Sequence, residues 1–238
     1  MNKDRPLIRH PFAGIMYGCK KDCRSCTMAP MEYDPVCYSL LNLRKDFIGI
    51  DLGAHVGLYG VALKNLAKEM HSFEIEQNGL DCLYKNSILY PHIRPYNIAA
   101  WDKNEIIGVY FDKGPSAELK ISDEKLVTSF LKEEYFQSKV VAVSLDTFFP
   151  EKFKIDFVKI DIEGSEVRAL NGMKNLLFNN KNLILVCEFN KNHLKRFGNT
   201  VEEFIEAIED CRFKFVSTTP EKLIEAPDDY LCNIVAVK

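Results

Sequence analysis

From about residue 47 the apolar positions alternate between two periods. Phe47-Ile48-Gly49-Ile50-Asp51-Leu52 is a short apolar run that reads as a buried strand, and it ends in the glycine-rich turn Gly53-Ala54-His55-Val56-Gly57. Leu58, Ala62, Leu66 and Met70 then recur at helical spacing. His71–Ile75 is expected as a strand, Gln77–Tyr90 as a helix and Ile93–Ala100 as a further strand. Such alternation implies parallel pairing through right-handed crossovers. Residues 103–145 break it: Ile106–Phe111 and Lys139–Leu145 are strand-like around a polar, irregular middle, as in an insertion beside a ligand site. The alternation resumes with strand Ile155–Asp161, helix Ser165–Phe178, strand Leu183–Phe189 and helix Thr200–Asp210. Phe213–Ser217 and Leu231–Val237 are expected to close the sheet as an antiparallel hairpin, with Pro220 and Pro227 in the connection. Residues 1–46 show neither period. The chain therefore divides into an irregular Cys-rich cap, 1–46, and a Rossmann-like α/β domain, 47–238.

Composition narrows this without changing it. The 238 residues suit one domain, and 47% hydrophobic with 27% charged residues is the mix of a soluble globular protein. No window approaches the roughly 18 apolar residues of a membrane span, and Met1–Pro6 lacks the apolar stretch of a secretory signal, so a cytoplasmic protein is expected. A net charge of −3 argues against a nucleic-acid partner held by bulk electrostatics, although residues 1–46 form a basic arm. Of eight cysteines, Cys82, Cys187, Cys211 and Cys232 sit among apolar neighbours and read as buried thiols. Cys19, Cys23, Cys26 and Cys37 are clustered. Their spacing suits a structural zinc site; Cys19, Cys23 and Cys26 also match an iron–sulfur spacing, and free thiols or disulfides stay open.

The chemistry starts at the first turn. Glycines after a buried strand let a ligand approach the backbone, but Gly49, Gly53, Gly57 and Gly60 do not form the G-x-G-x-x-G triplet of a dinucleotide site. Asp51, at the strand end, suits a ligand carrying a cation, and S-adenosylmethionine (SAM) has an ammonium and a sulfonium but no phosphate. Asp51, Gly53, Ala54, His55 and Gly57 are accordingly candidate cofactor residues. Glu74 ends the second strand, where a carboxylate accepts ribose hydroxyls, and Ala100 with Trp101 would lie at the adenine edge.

These segments resemble the FkbM-type family of SAM-dependent methyltransferases. The likeness is carried by Ile50–Gly57, Phe73-Glu74, Leu145-Asp146-Thr147-Phe148 and above all Asp156-Phe157-Val158-Lys159-Ile160-Asp161-Ile162-Glu163-Gly164-Ser165-Glu166, with Leu170-Asn171-Gly172 following. It spans roughly residues 33–190. It implies a seven-stranded sheet and methyl transfer, usually to a hydroxyl oxygen, here on a sugar or another small hydroxylated acceptor. The sequence departs from the family at His55, where Asn is usual, and at Glu188-Phe189-Asn190, where Glu-x-His is usual.

A hydroxyl acceptor has to lose a proton, which a carboxylate can take or a divalent metal such as Mg²⁺ can make easier. Asp161, Glu163 and Glu188, at or just past strand ends, are the candidates for base or oxygen ligand. Glu166 reads as a first-turn helix acid, His55 as packing or a proton acceptor, and His71 as structural. Two other readings stay open: an iron–sulfur enzyme using Cys19, Cys23 and Cys26, and a SAM-binding scaffold without catalysis.

Overall fold

The computed structural model describes residues 7–10, 13–18, 43–112, 119–121 and 135–238. A first hairpin pairs β1 (Leu7–His10) with β2 (Gly14–Tyr17). The domain then runs β3 (Phe47–Leu52), α1 (Leu58–Ala62), β4 (Ala67–Phe73), α2 (Gln77–Leu89) and β5 (Ile93–Tyr96). Next come β6 (Ala99–Ala100), β7 (Glu105–Asp112), β8 (Leu119–Ile121), β9 (Tyr135–Val143) and α3 (Leu145–Phe148). The last part holds β10 (Phe157–Ile160), α4 (Glu166–Asn171), α5 (Lys174–Phe178), β11 (Ile184–Asn190), α6 (Lys191–Arg196), α7 (Val201–Asp210), β12 (Lys214–Phe215), α8 (Pro220–Glu225) and β13 (Leu231–Val237).

The main sheet has seven strands in the order β12-β13-β11-β10-β3-β4-β5. Strands β11, β10, β3, β4 and β5 pair in parallel, and β13 runs antiparallel to both β11 and β12. Layers cover both faces, so β10 is buried along its whole length and β3 nearly so. The chain leaves β3 toward β4 and β5, then returns to the other side of β3 as β10. The crevice where this order reverses, beyond the carboxyl ends of β3 and β10, is the ligand-binding position of open α/β sheets. Among the described residues no helix is long and apolar enough to cross a membrane.

Several expectations need correcting. The helix after the first turn stops at Ala62, because the chain reverses through Leu63 and Leu66, whose N–H groups bond to the carbonyls of Tyr59 and Leu63. Met70 belongs instead to β4 and packs with Phe47, Tyr59 and Phe157. The run Ile93–Ala100 divides: Ile93–Tyr96 continues the main sheet, while Ala99–Ala100 joins a second sheet of order β6-β9-β7-β8. In residues 103–145 the strands expected over Ile106–Phe111 and Lys139–Leu145 do form, as β7 and β9, and with β8 they supply the rest of that sheet in place of a mere insertion. Ile107, Val109 and Ala142 bury against Trp101 and Phe197. The helix expected over Ser165–Phe178 is two helices, α4 and α5, separated at Gly172 and Met173; the break passes against the Trp101 carbonyl oxygen, where a Cβ on Gly172 would lie 1.7 Å away. Helix α8 lies inside the C-terminal connection.

The N-terminal cap is also less irregular than expected. Ala13 and Met16 are buried with Val56, Val61 and Leu83. The Asn86 side chain on α2 accepts from the Tyr17 N–H (2.6 Å) and donates to the carbonyls of Tyr17 (3.0 Å) and Val56 (2.8 Å). Cys82, Cys187 and Cys211 are buried and Cys232 is half-buried. Cys19, Cys23, Cys26 and Cys37 lie outside the described residues.

Candidate active site

The turn after β3 folds back over the crevice. Gly53 has φ +75°, and a Cβ on it would stand 1.8 Å from the Asp161 carbonyl oxygen, so only glycine fits beside β10. His55 is also left-handed, at φ +49°, a region that Asn and His enter more readily than most residues. Its backbone N–H donates to Glu74 Oε2 at 2.6 Å. The other oxygen, Glu74 Oε1, accepts from the N–H groups of Ile75 (2.7 Å) and Glu76 (2.6 Å). Burial pushes the Glu74 carboxyl up from its ordinary range, while the His55 charge and these N–H groups pull it back. Glu74 is thereby fixed at the end of β4 by the turn that β3 feeds.

Asp51 pairs with Lys159 across β3 and β10. It is 1% exposed, and neither carboxylate oxygen accepts a hydrogen bond among the described residues. Lys159 Nζ stands 3.9 Å from Asp51 Oδ1 and 2.9 Å from Asp161 Oδ2. The ammonium is itself buried, a state that opposite charges nearby make tolerable. Burial raises the Asp51 carboxyl to about 6; Lys159 opposes the rise, and Asp161 and Glu74 add to it. Two carboxylates, Asp51 and Asp161, therefore flank the Lys159 ammonium, and Glu74 is near enough to Asp51 to act on its charge.

A second group lies where β10 and β11 end. Glu163 follows β10 in a left-handed conformation, φ +59°. Glu188 is on β11. His193 sits in the first turn of α6, which Asn190 caps by accepting from the N–H groups of Asn192 and His193. His193 Nδ1 is 3.2 Å from Glu163 Oε2 and 3.5 Å from Glu188 Oε2. Asp161, expected in the same set, is drawn to Lys159 instead. Glu166 is more than a surface first-turn acid: it is buried, and its Oε1 accepts from the N–H groups of Ile162 and Gly164, which fixes the turn bearing Glu163.

The sequence model of the FkbM methyltransferase domain matches residues 51–215, more than half of the chain. The chain belongs to the FkbM methyltransferase family. No curated protein matches its sequence. Its fold is similar to that of the methyltransferase FkbM from Methylobacillus flagellatus, with a TM-score of 0.51 at 15% identity. That match covers 84% of this chain and 45% of the other, so this chain spans less than half the Methylobacillus protein. A SAM-dependent methyltransferase from Aquifex aeolicus gives a TM-score of 0.50 at 11% identity, over 87% of this chain and 91% of that one. The family model and these neighbours together give the chain the FkbM methyltransferase domain and its α/β fold.

Both departures from the FkbM pattern have a physical account. His55 stands at a left-handed position that suits Asn, which explains why one replaces the other. Where the family has its histidine, Asn190 caps α6, and its side chain accepts from the N–H of His193 three residues on. Sequence reading missed Lys159 and His193. The available signals were a lysine inside an otherwise apolar strand, and an Asn-x-x-His beginning a short helix.

The crevice fits the cofactor that the FkbM fold implies. Asp51 offers carboxylate oxygens that make no hydrogen bond among the described residues, Glu74 Oε2 accepts only one N–H and has a lone pair left for a ribose hydroxyl, and Gly53 leaves the backbone bare. Ala54 is buried in the turn, and Gly57, at φ +85°, caps α1. Trp101 donates its indole N–H to Glu105 Oε1 at 2.9 Å, and the Arg168 guanidinium lies 4.9 Å from its ring. Trp101 and Ala99 belong to a cluster against which Ile75, next to Glu74, also packs.

Proposed function

We propose that this protein methylates a hydroxyl oxygen of a small acceptor, such as a sugar, using SAM. The observation that carries the reading is Asp51: a carboxylate 1% exposed, at the switch point of the sheet, whose oxygens accept no hydrogen bond among the described residues. Such a group is costly to bury without a cationic partner, and Lys159, 3.9 Å from Oδ1 and bonded to Asp161 instead, leaves room for a second charge. The methionine ammonium of the cofactor supplies that charge. When bound, SAM contributes an activated methyl group on a sulfonium. Asp51 holds the ammonium, Glu74 the ribose, and Gly53, Ala54, His55 and Gly57 the cradle between them. Ala100 and Trp101 border the adenine.

The remaining work is alignment and proton removal. Glu163, Glu188 and His193 lie past β10 and β11, beside the crevice, and receive the acceptor hydroxyl. Asp161 keeps Lys159 in place rather than acting as the base. The small acceptor accords with an acidic crevice, which repels phosphate-rich partners.

Calorimetry with S-adenosylhomocysteine tests the cofactor reading. The parent is expected to bind it, and Asp51→Ala and Glu74→Ala each to weaken binding at least about tenfold, or about 1.4 kcal/mol. Unchanged affinity in both variants overturns it. Radiolabelled methyl transfer, screened over hydroxylated acceptors, tests the reaction. Intact binding with no transfer to any of them leaves a scaffold in place of the enzyme.

A further inference from the structure

We infer that Glu163, Glu188 and His193 form a site for a divalent first-row metal ion. Its part in the reaction rests on the methyl-transfer reading above. Glu163 Oε2, Glu188 Oε2 and His193 Nδ1 come from a loop, a strand and a helix, and one ligand atom from each lies within 4.8 Å of the others. Both carboxylates face the same nitrogen, at 3.2 and 3.5 Å. An imidazole carries at most one proton there, and that proton cannot serve two carboxylates. Nδ1 is in fact shielded from solvent and makes no hydrogen bond among the described residues. Its neighbours are near enough to touch, yet out of line with its N–H direction.

Ligand geometry accounts for that arrangement. Atoms bound about 2.1 Å from one ion stand about 3.0 Å apart at octahedral angles and about 3.4 Å apart at tetrahedral ones. The two observed separations, 3.2 and 3.5 Å, lie within about 0.2 Å of one or other of those values. An ion between the three side chains would offset the repulsion of two converging carboxylates. Three protein ligands leave coordination positions open, the mark of a catalytic rather than a structural site. The imidazole decides the class: nitrogen with two carboxylate oxygens suits Mn²⁺, Fe²⁺ or Zn²⁺ better than Mg²⁺, which prefers oxygen and water. With a hydroxyl in an open position, the ion would orient that oxygen and ease loss of its proton.

Mn²⁺ is the probe of choice, because it is too hard an ion for the cysteines to compete strongly for it. The full chain is stripped with EDTA and titrated with MnCl₂ under electron paramagnetic resonance. One Mn²⁺ per chain is expected, with affinity at least tenfold weaker in His193→Ala and in the nearly isosteric Glu188→Gln. Circular dichroism and S-adenosylhomocysteine calorimetry on the same samples are expected to match the parent, which separates loss of the site from loss of the fold. No bound Mn²⁺, or equal affinity in both variants, overturns the metal site and leaves the three side chains as a proton acceptor alone. Failure of S-adenosylhomocysteine to bind while Mn²⁺ does would sink the methyl-transfer reading and spare the metal.

Discussion

Asp51 holds its proton to about pH 6, against 3.8 for an ordinary aspartate, chiefly because burial disfavours its charge. The unfolded chain releases that proton near pH 4, so between about pH 4 and 6 the folded protein binds more protons than the unfolded one. Stability from this residue is therefore greatest at the acid end and is lost as the pH rises through 6. The whole shift corresponds to about 3 kcal/mol. Asp51→Asn cannot ionise and is expected to be more stable than the parent at pH 7.5, by about 1–3 kcal/mol, with the gap closing toward pH 4.5. Scanning calorimetry at both pH values checks this, and an equal difference at the two would contradict a buried charge. In the parent, S-adenosylhomocysteine affinity is expected to rise as the pH passes 6, since an ammonium needs the ionised carboxylate, and the same substitution should abolish that rise. Asp51 and Glu74 were legible in the sequence because each ends an apolar strand and Asp51 adjoins a glycine turn. Lys159 was not, because its role depends on register: pairing with Asp51 across two strands 108 residues apart is set by the sheet.

Helix α6 has six residues, is polar along most of its length, and buries only Leu194. A helix this short is not stable alone, so its cap and its packing hold it. Asn190 accepts from Asn192 N–H at 2.9 Å and His193 N–H at 3.2 Å. Asn190→Ala is expected to cost about 1 kcal/mol of stability. It should also weaken Mn²⁺ binding severalfold, by letting His193 swing away from Glu163 and Glu188. Asn190→Ser, which restores a capping oxygen, should recover both; a melting curve with a Mn²⁺ titration reads the two together. The element was not legible because its apolar content is too low to set a period, whereas α7, with the capping box of Thr200 and Glu203 and an apolar stripe, was placed almost to the residue. Strands β3, β10 and β11 were equally legible, since burial on both faces leaves runs that are largely apolar, with one charged residue each. The second sheet escaped because its pairing joins Ala99–Ala100 to residues 142–143, and no local pattern encodes so distant a contact.

At the scale of the molecule, one buried side chain links the N-terminal hairpin to the cofactor turn. Asn86 is 0% exposed and joins Tyr17 on β2 to Val56 between Gly53 and Gly57. Asn86→Leu keeps the volume and removes all three hydrogen bonds, leaving an N–H and two carbonyls without this partner. The expected loss is about 2–4 kcal/mol, and for a chain of this length each kcal/mol lowers Tm by about 2–4 °C. Stability alone does not show whether the hairpin matters to the site, but ligand linkage does. At a concentration 100 times its Kd for the parent, S-adenosylhomocysteine adds about 2.7 kcal/mol to the folded state. A variant whose turn is loosened enough to bind tenfold more weakly gains only about 1.4 kcal/mol at that same concentration. The ligand-induced rise in Tm should therefore be roughly half as large in Asn86→Leu as in the parent. Equal rises would mean that β1 and β2 merely clad α2, and that the cofactor turn is held in shape by Glu74 and Gly53 without help from the N-terminus.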